Sequence, residues 1–271
     1  MTINSYLTGI ANASILRDQA KLGIQRSIAT LNTRLKEHFV NDISRSLVFG
    51  SYSRGTILQR GMDPYSDVDL MVVFADGSYR PQTYLDQLRR FASFRYSRSE
   101  ITQSNPTIVL SLNHIRFELV PATESWFSGL QIPAPASDYR DWIQTDPTGF
   151  NQELTQANQA HSNLIKPLVR VMKYWNAKAG YPFESYGLEQ AIVRHGFFFL
   201  GLLNNGQQLK DYFFDFVEGL SAGWGELQGK QNAVNRLKQI AAQARTLESS
   251  GNFAAADATI AKLLPPLGLL A

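Results

Sequence analysis

The sequence predicts an α+β chain of two lobes, a sheet with flanking helices first and helices alone afterwards. Two observations predict it. Between Leu47 and Val120, short β-rich runs alternate with helical patterns, and after Pro121 the composition shifts through a loop region with Pro133, Pro135, Pro147 and Gly149. From about Leu164 to the end, apolar residues recur only at helical spacing. The expected lobes are residues 1–160 and residues 161–271.

Each element has its own warrant. From Ser14 to Phe39, Ile15, Leu22, Ile28, Leu31 and Leu35 fall on one helical face, so one long amphipathic helix is expected. Leu47-Val48-Phe49 is a short strand that ends at Gly50-Ser51, and Ser51 to Leu58 can begin a helix. Gly61, Asp63, Pro64 and Ser66 make the next segment a loop. Val68 to Phe74 then reads as a central strand, apolar on both faces. Tyr84 to Arg95 is a helix. Thr107–Leu112 and Ile115–Val120 are strands separated by Asn113-His114, the spacing of a hairpin. The second lobe carries helical patterns at roughly Leu164–Ala179, Tyr186–Leu203, Gln207–Phe216, Gln231–Leu247 and Ala254–Leu264.

Composition narrows the function classes. The 271 residues carry 26 Lys+Arg against 23 Asp+Glu, a net +3 that allows a local basic pocket but no strong nucleic-acid surface. The absence of cysteine excludes disulfides, iron–sulfur clusters and cysteine nucleophiles. The longest apolar run, Gly196–Leu203, is far shorter than the ~20 residues of a spanning helix, and Met1–Asp18 lacks a signal pattern. A cytoplasmic protein with no membrane partner is expected.

The chemistry concentrates in two places. Asp67 and Asp69 lie two apart on a strand and so share a face, with about 6.6 Å of backbone rise between them. Their side chains can converge on two divalent ions about 3.5–4 Å apart, the arrangement of two-metal phosphoryl transfer. Mg²⁺ suits such hard oxygen donors, with Mn²⁺ as a substitute. An Asp-x-Asp at a strand entrance can also merely cap a turn. Gly50-Ser51, directly after the preceding strand, adds a place where phosphate can approach the backbone. A third carboxylate, Glu118, interrupts an apolar strand, where an unpaired charge is costly. It is read either as the third member of the site or as an ion pair with Arg116.

These residues carry a resemblance. Gly50-Ser51, Asp67-Val68-Asp69 and Glu118 resemble the polymerase-β-like nucleotidyltransferases. Phe49-Gly50-Ser51-Tyr52-Ser53-Arg54-Gly55-Thr56, Phe117-Glu118-Leu119-Val120-Pro121-Ala122 and Lys173-Tyr174-Trp175-Asn176 look more closely like the bacterial CD-NTases, SMODS-type relatives of cyclic GMP–AMP synthase. The resemblance implies a mixed-sheet catalytic lobe with a long N-terminal helix, and a helical lobe that closes the nucleotide pocket. It implies Asp67, Asp69 and Glu118 as catalytic and metal ligands, although the family's third carboxylate is usually aspartate. It places Gly50 and Ser51 on phosphate, Lys173 on the β/γ-phosphates, Ser185 on phosphate and Tyr186 against the base. Lys173 belongs to a basic stripe with Lys166 and Arg170, which on spacing alone reads as a solvated helix face. Ser185 and Tyr186 read equally as a helix cap and a buried aromatic. His195 and His114 are isolated, and Phe197–Leu200 and Phe213-Phe214 read as helix core.

The expected activity is metal-dependent synthesis of a cyclic or short oligonucleotide second messenger from nucleoside triphosphates, ATP among them, with release of pyrophosphate. The family setting is anti-phage signalling, in which the product acts on a downstream effector. For the apolar, proline-broken end from Leu263 to Ala271, the resemblance implies a conjugation or regulatory partner, whereas the residues themselves read as packing against their own lobe. The rival activities are addition of nucleotides to an RNA end or small acceptor, and a catalytically silent nucleotide-binding scaffold.

Overall fold

The computed structural model describes residues 2–104, 106–127, 129–135, 141–197, 200, 206–223 and 225–266. Contacts divide the chain into two compact units. One comprises Leu16–Arg60 and Tyr65–Asn151; the other comprises Met1–Ile15, Gly61–Pro64 and Gln152–Ala271. The division differs from the expected lobes at the N-terminus, because the first 15 residues belong with the helices rather than with the sheet.

The first unit is built on a mixed seven-stranded sheet. Its strands are β1 (Ile43–Phe49), β2 (Asp67–Phe74), β3 (Glu100–Ser104), β4 (Thr107–Ser111), β5 (Arg116–Ser125), β6 (Gly129–Pro133) and β7 (Trp142–Gln144). The main order is β1-β2-β5-β4-β3, with β6 pairing β5 and β7. β2 and β5 run parallel, while the other pairings are antiparallel. The expected hairpin closes through Leu112 N–H donating to the Ile115 carbonyl at 2.9 Å. β3, β6 and β7 have too weak an alternation to stand out in sequence: β3 is mostly exposed, and β7 is three residues long.

The central strands are two-sided, and their period of two decides what each face carries. Val68, Leu70, Val72 and Phe74 of β2, with Phe117 and Leu119 of β5, pack in one core with two helices. α2 (Asp18–Phe39) contributes Ile24, Leu31, Leu35 and Phe39; α4 (Pro81–Arg95) contributes Tyr84, Leu85, Leu88 and Phe91. Asp67, Asp69, Met71 and Val73 therefore point to the other face. There Met71, Val73 and Ala122 form a small second cluster backed by Leu47, Phe49, Leu130 and Ile132. Apolar residues fill one end of this second face and carboxylates the other.

The helical unit starts with a helix that the sequence reading missed. α1 (Ile3–Ala13) is capped by Thr2, and Ser14 to Arg17 separate it from α2, so the expected single helix from Ser14 begins at Asp18. α1 is tied to its own unit by Tyr6 OH donating to Leu264 O at 2.6 Å and by Ile3 N–H donating to Glu248 Oε1 at 2.9 Å. α5 (Gly149–Ala160) likewise stands where the sequence predicts loop; Asp146 accepts from the Gly149 and Thr148 N–H groups and starts it. The rest are α6 (Ile165–Lys178), α7 (Ser185–His195), α8 (Leu209–Gly219), α9 (Gln228–Ser249) and α10 (Phe253–Ile260). The expected Tyr186–Leu203 helix closes earlier, with Gly196 left-handed at φ 74°; Phe198, Phe199 and 201–203 lie outside the described residues. Leu263 and Leu264 are buried in this unit, and residues 267–271 of the apolar end lie outside the described residues. No helix is long and apolar enough to cross a membrane among the described residues.

Candidate active site on the sheet

Strand register assembles the three expected carboxylates on one face. In the parallel β2–β5 pair, Asp69 stands opposite Glu118 and Asp67 opposite Arg116. All four side chains share the face turned away from α2 and α4. The two aspartates come from one strand and the glutamate from its neighbour, an arrangement that the β2–β5 register fixes.

Gly50 completes the floor of this face. β1 ends at Phe49, whose partner is Asp69, and the chain turns at once into α3 (Gly50–Arg54). Gly50 has φ 69°, in the left-handed region. A Cβ there would overlap Asp69 Oδ2 and lie 2.6 Å from Asp69 Cγ. Glycine is thus required twice, by backbone conformation and by the Asp69 carboxylate. Ser51 follows, half-buried, and its carbonyl accepts from Thr56 and Ile57 N–H.

Glu118 is a strongly perturbed carboxyl. Burial first, and then the charge of Asp67, push its pKa up to about 7, against the opposing pull of Arg116. The ion pair with Arg116 and membership of the carboxylate group, read as alternatives in the sequence, occur together. Arg116 Nη2 lies 3.2 Å from Glu118 Oε1 and also 3.2 Å from Asp67 Oδ2. Thr107 Oγ1 from β4 approaches Glu118 Oε2 at 3.5 Å. The bridge from Arg116 to Asp67 escaped the sequence reading, because it depends on parallel register that spacing along one strand does not encode.

The donor set suits a hard divalent cation, being made of carboxylate oxygens, and the Arg116 guanidinium stands among them as a cation already in place. Among the described residues, no three His, Cys, Asp or Glu side chains are drawn close enough to hold an ion as they stand. Asp67, Asp69 and Glu118 are the residues that would hold one.

Lys173, Ser185 and Tyr186 belong to the helical unit. Most of α6 is buried on all sides, so the expected basic stripe is not a solvated face: Arg170 and Lys173 are interior. Arg170 Nε donates to the Ala11 carbonyl at 3.2 Å, and Lys173 Nζ meets Glu189 Oε1 of α7 at 3.2 Å. Ser185 is the first residue of α7, not its cap, which is Glu184. Tyr186 is 47% exposed rather than a buried aromatic. Asn176, fully buried, holds the turn before them: its Nδ2 donates to Phe183 O at 2.8 Å and its Oδ1 accepts from Phe183 N–H at 3.0 Å. The histidines have structural partners, His195 with Asp215 at 2.7 Å and His114 with Ser27 at 3.0 Å.

Comparison with known proteins agrees with this geometry. Residues 1–158 match the family described as the Second Messenger Oligonucleotide or Dinucleotide Synthetase domain, SMODS. A probable cyclic nucleotide synthase of Bacillus cereus (strain VD146) is 24% identical over 252 residues, covering 78% of this chain and 74% of that one. The fold is that of the Vibrio cholerae cyclic AMP–GMP synthase DncV in its apo form, with TM-score 0.75, 11% identity, and coverage of 98% of this chain and 95% of that one. It is also that of the Bradyrhizobium diazoefficiens CD-NTase CdnG in complex with GTP, with TM-score 0.65, 13% identity, and coverage of 96% and 97%. With more than half of its length matched by the family and three carboxylates gathered on one sheet face, the chain belongs to the SMODS family of nucleotidyltransferases, synthetases of oligonucleotide or dinucleotide second messengers.

Proposed function

We propose that this chain condenses nucleoside triphosphates into a cyclic di- or oligonucleotide with Asp67, Asp69 and Glu118 as its catalytic carboxylates, Mg²⁺ as the working ion and pyrophosphate as the leaving group. The observation that carries the assignment is the register of Asp69 opposite Glu118, beside the Gly50 turn. GTP and ATP accompany the related CdnG and CdnC structures, which favours purine triphosphates as substrates here.

Two divalent ions, when bound, supply Lewis acidity at the attacking hydroxyl and at the departing pyrophosphate. The chain's own residues do the rest. Asp67 and Asp69 would hold the ions, and the Gly50-Ser51 turn lets the triphosphate approach the backbone. Glu118, with a pKa near 7, accepts the proton of the ribose hydroxyl as its oxygen attacks the α-phosphorus and the bond to pyrophosphate breaks. A second, intramolecular transfer closes the ring. The family resemblance adds Lys173 on the β/γ-phosphates, Ser185 on phosphate and Tyr186 against a base; the exposure of Tyr186 favours that role over a packing one. An anti-phage role, with the product acting on a separate effector in the cytoplasm, follows from the family setting.

The test is incubation with four radiolabelled ribonucleoside triphosphates and Mg²⁺ or Mn²⁺, followed by phosphatase. A phosphatase-resistant product that is absent with Asp67→Asn/Asp69→Asn is expected. Product formation by that double variant would sink the assignment, and label transferred only to an added RNA end would favour the rival transferase.

A further inference from the structure

We propose that Arg116 is a resident counter-cation of the carboxylate face, one that holds Asp67 and Glu118 while no ion is bound and leaves them when divalent ions arrive. The proposal rests on the reading of Asp67, Asp69 and Glu118 as the ion-binding carboxylates. It adds a residue outside that set which controls how readily they take up metal.

The register fixes Arg116 in the group. It lies directly opposite Asp67 and two residues before Glu118, on the face that all three carboxylates share. Three carboxylates gathered on one partly buried face repel one another when ionised, and a single guanidinium offsets one of their charges. Arginine keeps its proton at any working pH, so it cannot yield the site by neutralising. It can only move.

Its contacts are those of a group poised to move. One nitrogen, Nη2, serves both Asp67 Oδ2 and Glu118 Oε1, each at 3.2 Å. Charge-assisted N–H···O bonds settle at about 2.7–2.9 Å, and guanidinium prefers to meet one carboxylate with two nitrogens. Here the fork is unused. Nε is buried and has no hydrogen-bond partner, so part of the desolvation cost of the guanidinium is uncompensated. An alternative partner stands close by: the ring of Tyr65, itself 60% exposed, has its centroid 5.7 Å from Arg116 Cζ. That exposed ring is the partner toward which the guanidinium turns when it leaves the carboxylates.

The two lone pairs that Nη2 occupies are ones a bridging ion needs. Metal uptake must therefore displace Arg116, and the apparent affinity for the ion is weakened by whatever its two contacts are worth. Arg116 is in this sense a positioning residue. It offsets the mutual repulsion of the carboxylates and holds them in place before substrate arrives, and it makes the bare site a poor metal binder.

Titration of the full chain with Mn²⁺ in the absence of nucleotide, with free ion followed by electron paramagnetic resonance, tests this directly. Arg116→Gln is expected to bind Mn²⁺ about tenfold more tightly than the unaltered chain, the equivalent of about 1.4 kcal/mol. Unchanged or weaker binding by Arg116→Gln overturns the proposal. Should that variant fail to fold, a crystal structure of the unaltered chain with Mn²⁺ decides. Nη2 is expected to lie more than about 4 Å from both carboxylates, beyond ion-pair distance. A guanidinium still bridging Asp67 and Glu118 with ions in place overturns the proposal. Mn²⁺ binding that Asp67→Asn/Asp69→Asn leaves unchanged overturns the ion-binding reading itself, and this proposal with it.

Discussion

Gly50 and Asp69 are matched to each other so closely that neither position tolerates more atoms. The Asp69 carboxylate occupies the space in which any side chain at residue 50 would begin, and the Gly50 backbone lies in the left-handed region. A substitution at residue 50 therefore reaches a carboxylate without touching it chemically. Gly50→Ala is expected to cost about 1–2 kcal/mol in backbone strain alone and to push Asp69 off its position opposite Glu118. Since small misplacements of reacting groups cost about 100-fold, turnover should fall by at least about that factor while the circular dichroism spectrum stays unchanged. Activity within a few-fold of the unaltered chain would show that Asp69 has freedom the packing denies it.

Glu118 makes a pH dependence that can be measured without substrate. Its pKa is about 7 in the folded chain against the ordinary glutamate value of 4.5, so between those values the folded state binds more protons than the unfolded one. Stability linked to this group is therefore fully present below pH 4.5 and is lost as pH rises toward and through 7. In metal-free buffer, the melting temperature of Glu118→Gln relative to the unaltered chain should rise from pH 5 to pH 8, because glutamine lacks the titration. A difference that is flat with pH would place the Glu118 carboxylate in a more polar setting than its burial indicates.

Asn176 closes the turn ahead of α7 with two hydrogen bonds to Phe183 and is fully buried. Asn176→Leu retains volume but leaves the Phe183 N–H and carbonyl without these partners, at about 1–3 kcal/mol for each buried group. For a chain of this size that corresponds to a melting point lower by roughly 4–12 °C. If Ser185 and Tyr186 hold nucleotide, KM should rise more than kcat falls, because both follow this turn directly. Differential scanning fluorimetry and initial rates check the two halves separately.

The parts of this fold legible in sequence are those with dense runs of apolar, β-prone side chains. β2 and the β4–β5 hairpin announce themselves because one face is wholly apolar, and Asp67, Asp69 and Glu118 are conspicuous as charges breaking that pattern. β3 and β7 carry no such signal, because β3 is mostly exposed and β7 is three residues long. α1 escaped for a related reason: it is short, and it is held by Glu248 and Leu264 from the far end of the chain. The same limit applies in the site. That Arg116 pairs with Glu118 follows from a spacing of two, whereas its bond to Asp67 needs a parallel register that no local signal carries. The basic stripe on α6 was visible as a stripe, but whether it faced water depended on Glu189 and Ala11 reaching it from other helices.

Lys173 has two candidate duties, and its pairing with Glu189 allows them to be separated. Both side chains are almost wholly buried, at 6% and 0% exposure, so removing the lysine alone takes the cation away from a buried carboxylate. Lys173→Met should therefore destabilise the chain by about 3–5 kcal/mol. Replacing both members, Lys173→Met with Glu189→Leu, removes the charges together and should restore most of that loss, since a well-packed apolar pair often matches a buried ion pair. Activity then distinguishes the roles. If Lys173 only supports the helices, the double variant recovers turnover along with its melting temperature. If Lys173 also contacts the triphosphate, the double variant regains stability but keeps a raised KM for nucleotide, because no cation replaces the lysine at the β/γ-phosphates. We expect the second outcome. Full recovery of KM in the double variant would confine Lys173 to the architecture of α6 and α7.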